Sequence, residues 1–69
     1  MEEQFYGGIR SNSIPFVIND AVEVLSGVSK GKKAAIISIE PSENGVSYLV
    51  EFGDGSGDLI VSSRSLKLI

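Results

Sequence analysis

The chain contains no cysteine, no histidine and no tryptophan, and only two prolines, in 69 residues. Without cysteine there is neither a disulfide framework nor a thiolate metal site to hold the fold together. Without histidine the commonest general base is missing, and without cysteine so is the thiolate nucleophile. Packing and strand pairing must carry the stability, and an enzyme is not expected. Aromatic residues are three phenylalanines and two tyrosines, too few for the several-ring cage that readers of methylated side chains build around a cation. No apolar run approaches the ~20 residues of a membrane helix. Met1-Glu2-Glu3-Gln4 is acidic and no long apolar stretch follows it, so no secretory leader and a cytoplasmic location are expected.

What is present fits one small β domain. Apolar residues make up 42% and charged residues 22%, too apolar for a disordered chain. Net charge is −3. Glu2 and Glu3 fall in a predicted tail, and without them the folded part carries about −1, so any nucleic-acid contact would depend on a local basic patch. The stretch Asn19–Ile39 organises the rest: an apolar–polar alternation, a loop with two glycines and three lysines, then a β-branched run. That pattern predicts two antiparallel strands, Ala21–Leu25 and Ala34–Glu40, joined by the basic loop Ser26–Lys33. The second is apolar on both faces, Ile36 beside Ile37, which predicts a covered face or a bulge.

Pro41-Ser42-Glu43-Asn44-Gly45 reads as a hairpin turn, Asn-Gly being its strongest signal. The third strand runs Val46–Phe52 and the fourth Asp58–Ser62, separated by the glycine-rich turn Gly53–Gly57. Ser63–Ser65 suits one 3₁₀ turn, and Leu66–Ile69 closes the chain as a fifth strand. Five short strands with turns about every ten residues predict a small closed barrel over residues 13–69, with Val22, Val24, Ile36, Ile39, Val50, Leu66 and Leu68 inside. Residues 1–12 read as a flexible N-terminal arm, in which Phe5 and Tyr6 either cover a barrel end or help to bind a partner. Pro15 lacks a backbone donor and places Ile14–Ile18 in a lead-in.

Asn19-Asp20-Ala21-Val22-Glu23-Val24, Ser26-Gly27, Lys30-Gly31-Lys32, Ile36 and Ile39 together resemble the KOW motif of ribosomal proteins and transcription elongation factors. Tyr48–Gly55, Val61 and Leu66 are similar to the later strands of KOW-type and Tudor-like barrels. The resemblance spans about two-thirds of the chain and implies an all-β, five-stranded SH3-like barrel. The motif's glycine at the start of the second strand is replaced by Ala34, and its opening glycine by Asn19, a residue that also tolerates the left-handed region. For the family, the basic loop implies RNA or ribonucleoprotein contact, which here falls on Lys30, Lys32 and Lys33. The same lysines are also accounted for as a solvated hairpin tip.

Other constellations carry less. Asp54-Gly55-Ser56-Gly57-Asp58 superficially matches a calcium loop, yet its twelfth position is Ser65 and strands flank it, so no metal and no cofactor are expected. Glu23 and Glu51 fall at outward strand positions, so a catalytic carboxylate pair is not expected. The leading expectation is a non-enzymatic binding module with a protein partner or self-association, using an apolar face of Leu25, Ile37 and Leu49. RNA binding through the lysine loop is the alternative. An inhibitor or immunity-type role, with Glu43, Glu51, Asp54 and Asp58 meeting a basic partner, is the third. No membrane association is expected.

Overall fold

Alternation in the sequence sets the strands of a computed structural model that describes residues 2–43 and 45–69. A short helix α1 (Glu2–Tyr6) precedes β1 (Ala21–Val24), β2 (Lys33–Ser42), β3 (Gly45–Phe52) and β4 (Asp58–Ser62). A 3₁₀ turn (Ser63–Ser65) then leads into β5 (Leu66–Leu68). All pairings are antiparallel, in one sheet of order β4-β3-β2-β1-β5. The order ends at β4 on one side and β5 on the other, so hydrogen bonding does not close the predicted barrel. The turn that joins these two strands is capped locally: the Ser62 hydroxyl accepts from the Arg64 N–H at 3.3 Å.

Successive side chains of a strand point to opposite faces, and here one face is the core. Val22, Val24, Ala34, Ile36, Ile39, Tyr48, Val50, Phe52, Val61 and Leu66 are buried on it. Ile36 pairs with Val50 but Ser38 with Leu49, so Ile37 is an extra residue in β2. This bulge reconciles the adjacent isoleucines: Ile36 and Ile39 both stay inward, while Ile37 turns out. Leu68, expected inside, is 47% exposed; it sits on a three-residue edge strand with no neighbour beyond it.

The lead-in and the N-terminus lid this core. Tyr48 is fully buried, with Phe5 stacked at 5.9 Å on one side and Phe16 edge-on at 5.5 Å on another. Residues 2–6 therefore are not a loose tail. They form helix α1, which places Phe5 at 0% exposure; burying a ring of this size outweighs the poor helix-forming prospects of five residues. Tyr6 packs edge-on against Phe5 but stays half exposed. Downstream, Arg10 pairs with the Asp20 carboxylate, which also accepts the Val17 N–H at 2.9 Å. Asn19 takes φ +68°, the only non-glycine residue above zero among the described ones, and its N–H reaches the Ile36 carbonyl at 2.8 Å. Asn44 of the expected Asn-Gly turn lies outside the described residues; Ser42 and Gly45 beside it are register partners.

Candidate functional site

The basic loop folds back on itself. Gly31 donates to the Val24 carbonyl at 2.8 Å and Val24 to the Lys32 carbonyl at 3.0 Å, with Gly27 and Gly31 at positive φ where the chain reverses. Its three lysines have different surroundings. The Lys32 ammonium is shared among the Asp54 carboxylate (3.4 Å), the Ser56 hydroxyl (3.3 Å) and the face of Phe52 (5.2 Å to the ring centre). Asp54 also accepts the Ser56 N–H at 2.9 Å, and the Ser56 bonds, followed by the Lys32 charge, hold its carboxyl below the usual aspartate value. Lys30 is exposed in the loop, and Lys33 already belongs to β2. The Asp54–Ser56 turn thus serves as a counter-ion for the loop. Among the described residues, no group of three or more acidic side chains is placed to hold a metal ion.

The outward face of the sheet is organised in cross-strand rows. The first is Lys67–Glu23–Lys33, across β5, β1 and β2. The second is Ala21–Ala35–Glu51–Asp58, across β1 to β4, and Ile69 extends it by donating its N–H to the Ala21 carbonyl at 3.1 Å. The third is Ser38–Leu49–Ile60, with the bulged Ile37 next to Ser38. The two alanines leave a depression between larger neighbours. A groove of about 460 Å³ lies there, with Ala21, Ala35, Ile37, Ile69, Lys33 and Glu51 among its lining residues.

Charge is distributed unevenly over these rows. In the first, Glu23 has a lysine directly opposite on each side, the favourable cross-strand arrangement. In the second, Glu51 and Asp58 are directly opposite each other, the unfavourable one. The ion pairs among the described residues are Arg10–Asp20 and Lys32–Asp54. None of Glu23, Glu51 and Asp58 has a cation within ion-pair distance there, so the rows differ in which charges face each other and not in salt bridges formed.

Of the three residues expected to form an interaction face, Ile37 and Leu49 come together and Leu25 does not. Ile37 and Leu49 are half-buried neighbours at the bulge. Leu25 follows the far end of β1, where its N–H donates to the Ser65 carbonyl at 2.7 Å, and the charged Lys67–Glu23–Lys33 row lies between it and Ile37. Sequence reasoning missed Ile60 and Ile69, exposed at 60% and 63%, and it missed the groove-lining alanines. The usable signal was Ala21 and Ala35 themselves. Alanine is a poor strand residue, and two of them register partners on one face mark a hollow.

Among the described residues, no helix is long and apolar enough to cross a membrane. Comparisons with protein-family models, with curated proteins and with solved structures returned no match.

Proposed function

We propose that this chain is a small non-enzymatic protein-interaction module of the SH3-like barrel type, divergent from the KOW and Tudor-like families and open between β4 and β5. The barrel reading is supported by β1 pairing with both β2 and β5, so that the last strand returns to the first. The binding reading is carried by one observation: a mostly apolar groove on the sheet, lined by Ala21, Ala35, Ile37 and Ile69 among others, with exposed Ile60 on the same sheet as a further apolar side chain. Apolar surface gathered on one side of a small domain is where a partner gains most from excluding water. RNA contact through Lys30, Lys32 and Lys33 is less well supported, because Lys32 already has a carboxylate beside it and each phosphate contact requires a free cation.

The test is to pan a 12-residue random peptide library against the full chain, then counter-screen the enriched peptides on Ile37→Glu, whose fold is checked by circular dichroism. Enriched peptides that lose binding to the folded variant support the module. No enrichment, or steeply salt-dependent binding of a mixed-sequence 12-nucleotide RNA that vanishes when Lys30, Lys32 and Lys33 are made glutamine, overturns it in favour of the nucleic-acid reading.

A further inference from the structure

We infer that the groove on the outward sheet face recognises a cationic partner segment: an apolar anchor side chain seated over Ala21 and Ala35, with an adjacent arginine placed between Glu51 and Asp58. The inference rests on the interaction-module reading and specifies the chemistry of its partner.

The groove supplies the anchor site. Small side chains, Ala21, Ala34 and Ala35, line it beside the larger Ile37, Phe52 and Ile69, so an incoming apolar side chain meets a mainly apolar surface. Glu51 lines the same groove, and Asp58 is its register partner on the next strand. A residue flanking the anchor therefore arrives at two carboxylates on neighbouring strands, about 5 Å apart at their Cβ atoms by strand geometry. A planar guanidinium with donors on several edges can bond both at once; an ammonium is a point charge and matches this spacing less well.

The sheet's own rules single out this acid pair. One row away, Glu23 lies register-opposite Lys33 and Lys67, a favourable placement of charge even though none of the three is within ion-pair distance of another among the described residues. Glu51 opposite Asp58 is a local conflict with no compensating contact among the described residues. Such conflicts concentrate where a surface serves something other than folding. Lys33 borders the groove too, but its directly opposed neighbour is Glu23. A second copy of the chain fits less well as the occupant, since each copy brings net charge −3 and the same unmatched acids.

The experiment is a ¹H–¹⁵N titration of the full chain at low salt with four heptapeptides: Gly-Ser-X-Leu-X-Ser-Gly with X as arginine, serine or glutamate, and the arginine peptide with leucine replaced by alanine. The arginine–leucine peptide should shift Ala21, Ala35, Ile37, Glu51 and Asp58 amides. It should bind at least fivefold more tightly than the serine peptide and at least threefold more tightly than its alanine form, with the glutamate peptide weakest. The E51Q/D58N double variant should make the arginine and serine peptides bind alike while both still shift the groove amides, a selective loss that unfolding, which would abolish both, would not produce. Equal binding of the arginine and serine peptides at the groove overturns the cationic partner while sparing the interaction module. No groove shifts with any peptide overturns the inference together with its premise. Concentration-dependent groove shifts without peptide, with a dimer by sedimentation, also overturn it and make a second copy the occupant.

Discussion

The same five strands present two faces built on different terms. On the inward face, large side chains interlock around Tyr48, and the described residues leave no buried side-chain polar atom without a partner. On the outward face, one row sets opposite charges side by side, and the next opposes two acids at one end and sets two groove-lining alanines at the other. A domain of this size buries only about 60% of its unfolded surface, so little stability is available outside the core. The outward face can depart from good sheet chemistry only because the inward face does not.

Adjacent isoleucines give the most forceful test of that division. Ile36→Ala removes a fully buried side chain and should cost about 2–5 kcal/mol. Against the roughly 3–10 kcal/mol expected for a chain this long, that removes a large fraction of the total stability. Ile37→Ala, one residue along and turned out by the bulge, should cost about 1 kcal/mol or less. Urea denaturation measures both, with the slope unchanged if only stability moves. Equal costs would mean that the bulge does not separate the faces.

Tyr48 offers the next test, through pH. Its hydroxyl accepts the Phe16 N–H at 3.2 Å. Burial pushes the phenol above the ordinary tyrosine value and the Asp20 charge adds to this, while the Phe16 bond acts the other way. The folded state thus favours the neutral phenol. Its contribution is complete below the ordinary tyrosine value and is lost as pH rises through the higher folded one. Thermal midpoints should fall on the alkaline side, and in a Tyr6→Phe background, which leaves Tyr48 as the remaining tyrosine, phenolate absorbance at 295 nm should appear together with unfolding. Tyr48→Phe should flatten that fall and cost about 1–3 kcal/mol at neutral pH, because the buried Phe16 N–H loses its acceptor. An unchanged alkaline slope in the variant would locate the sensitivity elsewhere.

The inward face was largely legible from sequence and the outward face was not. Period-two alternation placed all five strands, with bounds off by at most two residues, and Ser63–Ser65 fell where the 3₁₀ turn is. Asn19 was readable as a left-handed position because of its side chain, and doubled isoleucine announced the bulge. Helix α1 was missed because five residues carry no helical period; its reason to form is Phe5 reaching Tyr48, 43 positions away. Leu25 was assigned to the wrong patch for a related cause. Alternation gives the side of a strand but not the row, and rows depend on register between strands. The Glu51–Asp58 opposition is likewise invisible until β3 and β4 are aligned.

Register also makes the charged rows testable. Glu23→Lys would turn two favourable cross-strand pairs into two repulsive ones, in a row of three lysines. At 0.2–1 kcal/mol per pair, the loss should be about 1–2 kcal/mol, a fall in thermal midpoint of roughly 4–16 °C for a domain this small. The fall should shrink with added salt as screening shortens the range of the repulsion. A fall that ignores salt would indicate lost packing instead of charge.

The smallest expected change is the most discriminating, because its sign is opposite. Asp58→Lys places a cation directly across from Glu51, replacing a repulsive pair by an attractive one on an exposed edge strand. The folded state should gain about 0.5–1 kcal/mol, and the thermal midpoint should rise by roughly 2–6 °C. If the acid pair served stability, this substitution would be neutral or harmful. If it is kept for a cationic partner, the variant should be more stable and bind the arginine–leucine heptapeptide at least fivefold more weakly, the usual exchange between a tuned surface and a robust one. Both quantities are read from one sample set, by calorimetry and by titration. Only the combination of higher stability with weaker binding separates an acid pair held for recognition from one that merely happens to lie on a solvated strand.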